Sequence, residues 1–183
     1  IFFIIVPRHP NDFSKHRILF SDSLIKIQTR SELFKKNLDF KNMSLDPFQD
    51  LNNSELLWGD SLGELNFYMA MSDLVFMGDS LNNEGSHNII EPLALLKPVI
   101  VGPSIWGIEY PALEALDFGI IKKIREQKEL ISALVTAYKN SKEKKSNSGR
   151  IAKMKKFYIS NQGASDKFMN KMFSNNFLKS NNN

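Results

Sequence analysis

The sequence predicts an α/β fold in which a Rossmann-like parallel sheet carries helices on both faces. Short apolar segments such as "LVFMG" (residues 74–78) and "PVIVG" (residues 98–102) are nearly continuous, which is typical of strands buried on both faces of a parallel sheet. Segments with helical spacing alternate with these strands along the chain. That alternation favours a parallel sheet covered by helices.

The individual elements follow in chain order. The opening "IFFIIVPRHP" enters at once into a strand and ends in a proline-bracketed loop. Apolar runs and alternation predict further strands over residues 23–31, 55–61, 74–78, 98–102 and 119–124. Helical spacing predicts helices over residues 63–73 and 89–96 and near residues 110–116. Residues 35–54 are expected to form an irregular or partly helical connection, and the tail "SNNFLKSNNN" is expected to be disordered.

Composition narrows the class of protein. The 183 residues are 42% hydrophobic, enough for one sizeable core. No apolar run approaches the roughly 18 residues that span a bilayer, and no charged segment precedes the first strand as in a signal peptide. Cysteine is absent, which excludes disulfides, thiolate metal sites and cysteine nucleophiles. Because the chain opens inside a strand pattern and without Met, we expect a fragment from which an earlier region has been removed.

Charge is unevenly distributed. From Lys122 onward there are 15 Lys and Arg against 4 Asp and Glu, whereas the preceding residues hold 9 against 16. A basic face of this kind suits an anionic membrane surface or nucleic acid. A solvated helix surface is the alternative explanation.

The segment "NNEGSHNIIEPLALLKPVIVGP" places polar, loop-forming residues directly before a helix and a buried strand. Asn88 and Glu91 have the spacing of a capping box, in which each side chain satisfies a backbone donor of the first helical turn. The functional alternative is a ligand site, because a loop that enters a helix can bind an anion and a carboxylate one turn later can hold sugar hydroxyls.

Three polar loops follow predicted strands, namely "PRHP", "GDSLGEL" and "GSHNIIEP". Ligands of open parallel sheets bind beyond the carboxyl ends of the strands, where such loops lead into helices. The joint placement of the loops predicts a phosphorylated or nucleotide-like ligand. Each residue also has a structural explanation: His9 and His87 as loop histidines, Glu64 as a charge at a helix N-terminus, Arg8 as a surface ion-pair partner, and Ser61 and Ser86 as caps or hydrogen-bond donors.

These motifs, together with "NQGASDKF" near the end, resemble the C-terminal half of 3-deoxy-D-manno-octulosonic acid (Kdo) transferases, which are GT-B glycosyltransferases of lipopolysaccharide synthesis. Four motifs match in order over about 160 residues. The resemblance implies that residues 1–145 form a Rossmann-like domain that binds CMP-Kdo. It implies that residues 146–173 form a helical segment that returns to the N-terminal domain, with residues 174–183 as the tail.

The resemblance also implies roles for particular residues. Arg8, with Pro7, would give the donor a charge-assisted hydrogen bond, and the second loop would pack against the cytidine. The third loop would face the phosphate with backbone amides, while Glu91 accepts from the ribose hydroxyls. The implied donor-binding residues are Pro7, Arg8, Leu62, Gly63, Glu64, Ser86, Asn88, Ile89, Ile90 and Glu91.

The full-length protein, by the same resemblance, would transfer Kdo to a lipid A precursor at the cytoplasmic face of the bacterial inner membrane. The catalytic base would lie in the N-terminal half, so this chain alone is expected to bind nucleotide without catalysing transfer. No metal, cofactor or nucleic-acid partner is expected. With the other domain missing, we expect the apolar face formed by Ile151, Met154, Phe157 and Tyr158 to be partly exposed.

Two departures from the family pattern concern the donor loop. Gly78-Asp79 and Gly85-Ser86 stand where the family usually has glycine pairs, and Asp79 would repel a phosphate unless its side chain points away. The alternatives to this function are another GT-B nucleotide-sugar transferase, an epimerase of that fold, or a non-catalytic binding module with a basic end.

Overall fold

A computed structural model describes residues 1–37, 53–83 and 85–174. Most of the predicted connection at residues 35–54 and nearly all of the predicted tail lie outside this part of the chain. The chain divides into two compact units, and the boundary falls between Ser72 and Asp73. Each unit contains a parallel sheet flanked by helices, which confirms the predicted α/β class.

The first unit has three parallel strands in the order β1-β3-β2. In register, Leu57 of the central strand lies opposite both Ile4 and Gln28. The strands are β1 (Phe3–Ile5), β2 (Ile27–Thr29) and β3 (Leu56–Trp58). The helices are α1 (Asp12–Arg17), which continues into a 3₁₀ turn at Ile18–Phe20, α2 (Arg30–Asn37) and α3 (Leu65–Met71).

A small core holds the first unit together. Leu33, Leu57 and Tyr68 are buried against one another, so one residue each from α2, β3 and α3 fixes these elements. Trp58 is 2% exposed and its indole Nε1 donates to the carbonyl oxygen of Phe13 at 2.9 Å. This bond satisfies the polar atom of a buried indole ring.

The second unit also has three parallel strands, in the order β4-β5-β6. All three residues of the central strand are buried, as its unbroken apolar run predicts. The strands are β4 (Val75–Met77), β5 (Val99–Val101) and β6 (Ile121–Lys123). The helices are α4 (Ile90–Ala94), α5 (Glu109–Asp117), α6 (Leu130–Lys142), α7 (Lys144–Asn161) and α8 (Ala164–Ser174), and 3₁₀ turns lie at Gly78–Leu81 and Gln127–Glu129.

The long helix α7 contributes to the core of this unit. Met154 and Phe157 are buried there, and the ring of Phe157 meets Phe118 edge to face with 5.6 Å between centroids. Tyr158, in contrast, is 49% exposed and Ile151 is half-buried. The prediction that part of this apolar face is exposed is confirmed.

Two predicted strands extend too far, and the one expected over residues 55–61 ends at Trp58. The strand expected over residues 23–31 ends at Thr29, because Arg30 begins α2. The backbone N–H of Glu32 donates to the hydroxyl of Thr29 at 3.2 Å, and the N–H of Thr29 donates to the carboxylate of Glu32 at 3.4 Å. This reciprocal pair is a capping box, and it places Arg30 beyond the carboxyl end of β2.

Candidate functional site

In the second unit, hydrogen bonds of Ser80 hold the turn that follows β4 against the end of β5. Ser80 is fully buried, and its hydroxyl donates to the carbonyl oxygen of Met77. The same hydroxyl accepts the N–H of Gly102 at 2.6 Å, while the carbonyl of Ser80 accepts the N–H of Ser104 at 2.9 Å. The loop therefore starts from a backbone position that is fixed against the neighbouring strand.

The middle of the loop is held by Trp106. The N–H of Ser86 donates to the carbonyl oxygen of Trp106 at 3.1 Å. Gly85 has a positive φ of +100°, and a Cβ there would lie 2.6 Å from the same carbonyl oxygen. Only glycine fits both the backbone conformation and the close approach, so Gly85 sets the path of the chain toward Asn88.

Asn88 and Glu91 do interact, but not as the predicted capping box. Helix α4 begins at Ile90, with Ile89 as the capping residue. The side-chain oxygen of Asn88 accepts the N–H of Ile90 at 2.9 Å, and its amide donates to the Glu91 carboxylate at 3.2 Å. The pairing of atoms differs from the prediction: the Asn88 side chain bonds to the N–H of Ile90 and to the Glu91 carboxylate, whereas a capping box pairs each side chain with the backbone N–H of the other residue.

His87 and Asp79 form a pair within this loop. The imidazole Nε2 of His87 lies 2.5 Å from Oδ2 of Asp79, and both side chains are partly exposed. The carboxylate of Asp79 therefore faces a histidine of its own loop. Asp79, which sequence reasoning identified as a source of repulsion toward a phosphate, is therefore bonded within the loop.

The other two predicted loops lie in the first unit. Pro7 and Arg8 follow β1, and Leu62 to Glu64 follow β3. Since β1 and β3 are adjacent parallel strands, both loops leave the same edge of that sheet. Arg8 is exposed and Pro7 is half-buried, while Leu62 is 68% exposed and Gly63 has a positive φ of +78°.

Glu64 is the centre of a polar network in the first unit. Its Oε1 accepts from Nη2 of Arg30 at 2.6 Å, and its Oε2 accepts from the hydroxyls of Ser61 and Tyr68. The hydrogen bond from Arg30 and that from Ser61 lower the pKa of the Glu64 carboxyl against a smaller effect of burial. Burial raises the pKa of the Tyr68 hydroxyl.

Sequence reasoning missed several members of this network. Asp60 accepts from the backbone N–H of Ser31 at 2.8 Å and from its hydroxyl, which ties the start of α2 to the loop after β3. Arg30 was placed inside a strand, and Tyr68 was given no role beyond the helix expected over residues 63–73. A "TRSE" capping-box pattern at residues 29–32 was the signal that could have placed Arg30 in a strand-end loop.

The described residues were compared with the requirements of a metal site and of a membrane-spanning helix. No group of three or more His, Cys, Asp or Glu side chains in residues 1–37, 53–83 and 85–174 could hold a metal ion. Within the same residues, no helix is long and apolar enough to cross a membrane. In the second unit, the loop after β4 offers one carboxylate that Asn88 holds. In the first unit, the loop after β3 offers a carboxylate paired with an arginine.

Parallel sheets, flanking helices and polar strand-end loops place the chain in the class of Rossmann-like α/β folds. A solved structure supports this class: the C-terminal CMP-Kdo binding domain of WaaA from Acinetobacter baumannii matches with a TM-score of 0.68 and 24% identity, over 85% of this chain and 72% of that one. No protein-family model matches the chain.

Three curated proteins that are similar to this chain are transferases by name. The chain is 29% identical over 146 residues to the 3-deoxy-D-manno-octulosonic acid transferase of Haemophilus influenzae, which covers 80% of this chain and 31% of that protein. The transferase of the same name from Bordetella pertussis is 29% identical over 116 residues, or 63% of this chain and 24% of that protein. A bifunctional glycosyltransferase/methyltransferase of Fusobacterium nucleatum is 32% identical over 148 residues, or 76% and 20%.

These matches confirm the resemblance to Kdo transferases that the sequence motifs predicted. The chain spans less than a third of the length of each of these three relatives.

Proposed function

We propose that this chain is the donor-binding part of a Kdo transferase and that it binds CMP-Kdo. The observation that carries the proposal is the Asn88–Glu91 pair. Asn88 holds the Glu91 carboxylate at the first turn of α4, in the loop where the Kdo transferase motif has its donor-binding element. The similarity to proteins named Kdo transferase supports the same assignment.

Within the third loop, Glu91 would accept hydrogen bonds from the ribose hydroxyls. Asn88 binds one carboxylate oxygen of Glu91, so it orients the group while the carboxylate keeps further acceptor positions for a ligand. Ile89 would contribute its backbone N–H, whereas Ser86 and Ile90, whose N–H groups already donate to Trp106 and Asn88, would shape the loop. The dipole of α4 adds little, because the helix has only 5 residues and the N–H of Ile90 is already bonded to Asn88.

Within the first unit, Arg8 would give the donor a charge-assisted hydrogen bond, with Pro7 shaping its loop. Leu62, Gly63 and Glu64 would form the surface for the cytidine. The exposed side chain of Leu62 offers an apolar contact, and Arg30 holds Glu64 in place from the neighbouring strand end.

In the whole protein, the acceptor hydroxyl of a lipid A precursor would attack the anomeric carbon of Kdo. The new bond forms from that oxygen to carbon, the bond to the CMP phosphate breaks, and the acceptor proton passes to a base in the N-terminal half. We place this reaction at the cytoplasmic face of the inner membrane, where the basic C-terminal third could meet anionic lipid. This chain alone should bind CMP and transfer no Kdo.

The experiment is a calorimetric titration of the chain with CMP, using Glu91→Gln and a matched control. Glu91→Gln should weaken binding by roughly 1–3 kcal/mol, because a charged acceptor for the ribose is lost. Unfolding stability should fall less, because the Gln carbonyl can still accept from Asn88.

Glu143→Gln is the control, since Glu143 is also a carboxylate with a side-chain partner, Ser146, but lies outside all three loops. It should bind CMP as the parent chain does. If Glu91→Gln also binds CMP normally but unfolds more easily, Glu91 is a structural residue and the proposal loses its main support.

A further inference from the structure

A groove lies between β6 with the turn after it and helix α6, outside the three loops described above. Its volume is about 610 Å³, within the size range of small-molecule sites. The lining residues are Lys122, Lys123, Ile124, Arg125, Glu129, Ser132, Ala133, Thr136, Ala137 and Asn140. Strand β5 separates β6 from β4, so the groove is distinct from the loop of Asn88 and Glu91.

The helical wall of the groove is made of small and polar side chains. The residues at positions 132, 133, 136, 137 and 140 share one face of α6 because they are spaced by whole helical turns. Ala133 and Ala137 stand where a helix packed on a sheet normally presents large apolar groups. No residue of α6 is fully buried, and Ala133 and Ala137 are half-buried, so the small side chains leave room for the groove on this face.

The opposite wall is cationic. Lys122, Lys123 and Arg125 line the groove together with a single carboxylate, Glu129. That carboxylate accepts the backbone N–H of Arg125 at 2.9 Å, which compensates part of its charge. Within residues 1–37, 53–83 and 85–174, the three cations form no ion pair.

Protection of a sheet edge explains only some of the cations in this groove. A lysine in an edge strand discourages pairing with another sheet, and β6 is an edge strand of its sheet. That reason covers Lys122, which lies mid-strand. It does not cover Arg125, which lies beyond the strand, or the small side chains of α6 that face the cations.

We propose that this groove binds a phosphate group attached to a hydroxyl-bearing carbon skeleton. The phosphate would lie against Lys123 and Arg125, since such anions bind best through charge-assisted hydrogen bonds. The hydroxyls of Ser132 and Thr136 donate to helix carbonyls, so they offer only acceptor lone pairs to a ligand. Sugar or glycerol hydroxyls can donate to them, and the amide of Asn140 can pair with either kind of group.

Two sources have this chemistry: a soluble sugar phosphate and the headgroup of phosphatidylglycerol. The soluble probe is glucose 6-phosphate, with glucose as the uncharged control, and backbone amide shifts are followed in the ¹⁵N-labelled 183-residue chain. The lipid probe is a vesicle of phosphatidylglycerol, with phosphatidylcholine as the control. We expect at least one phosphate-bearing probe to shift amides of residues 122–140 while its control shifts none.

Two independent variants test whether the groove is responsible. Lys123→Gln/Arg125→Gln should weaken binding at least about tenfold, because two charged donors are lost. Its control, Lys144→Gln/Lys145→Gln, removes the same charge from exposed positions at the start of α7. Ala137→Leu should weaken binding by filling the groove, and Ala152→Leu, on the exposed part of α7, should not.

Thermal melts of every variant separate loss of binding from loss of folding. Binding of glucose 6-phosphate alone identifies a soluble ligand, and binding of vesicles alone identifies a headgroup; both results support the proposal. It is overturned if neither probe shifts the groove amides. It is also overturned if the Lys144/Lys145 control weakens binding as much as the groove variant, or if shifts concentrate at residues 86–91.

Discussion

The carboxylate of Glu64 is held in its ionised form by its neighbours, above all by Arg30. Because this lowers its pKa in the folded chain, the contact stabilises the fold above the carboxyl's unfolded-state pKa. The stabilisation is lost as the pH falls through the folded-state value. The side chains of Glu64 and Arg30 are 30% and 15% exposed, so solvent screens the pair only in part.

We expect Glu64→Gln to lower the free energy of unfolding by about 1 kcal/mol at neutral pH, between the values for exposed ion pairs and for buried charged hydrogen bonds. In acid, the parent loses the same contribution when Glu64 is protonated. Urea unfolding of both chains at about pH 7 and about pH 3 measures the difference. A difference that does not shrink at the lower pH would mean that the ionised pair contributes nothing.

Residue type and spacing predicted local partners and missed distant ones. Asn88 and Glu91 are three positions apart, and their contact was expected from the sequence, although the atoms that pair were not. Arg30 and Glu64 are 34 positions apart, and only the pairing of β2 with β3 brings their loops together. Tyr68 has an apolar body that fits its helix face, so its hydroxyl contact with Glu64 was invisible in the helical pattern.

At the scale of elements, glycine positions decide how closely the turn after β4 can approach the end of β5. A Cβ on Gly102 would meet the backbone carbonyl oxygen of Ser80 well inside van der Waals contact, whereas a Cβ on Gly78 would meet nothing within 4 Å. Neither glycine has a positive φ. The two positions therefore differ in the space around a Cβ, and at neither does a positive φ require glycine.

We expect Gly102→Ala to destabilise the chain by at least roughly 1–3 kcal/mol, because backbone atoms must shift to relieve the contact. Gly78→Ala is the matched control and should change stability by no more than about 0.5 kcal/mol. Thermal or urea unfolding compares the two. Equal losses at both positions would show that the turn after β4 is not fixed tightly against β5.

The starts of α2 and α4 show how far a capping pattern in the sequence predicts a helix boundary. The capping box expected at Asn88 and Glu91 is absent, because their side chains bond to each other and Asn88 also accepts the N–H of Ile90. A genuine capping box occurs at Thr29 and Glu32, inside a segment whose alternation predicted a strand. In both places the residue spacing allows a cap, and only the folded chain determines which atoms pair.

At the scale of the whole chain, the fold class was predictable because it depends on a repeated local pattern. Apolar runs at β4 and β5 and the alternating helices were enough for a parallel α/β arrangement. The division into two compact units at Ser72 and Asp73 was not predictable, because no proline-rich or glycine-rich linker marks that point. The function class came from the resemblance, and the curated relatives agree with it.

The most direct measurement of the central claim is nucleotide selectivity, determined by titrating the 183-residue chain with CMP, UDP and GDP under identical salt conditions. A donor-binding part of a Kdo transferase should bind CMP at least about tenfold more tightly than either diphosphate, a difference of about 1.4 kcal/mol. Preference for UDP or GDP would contradict the assignment and favour another GT-B nucleotide-sugar transferase.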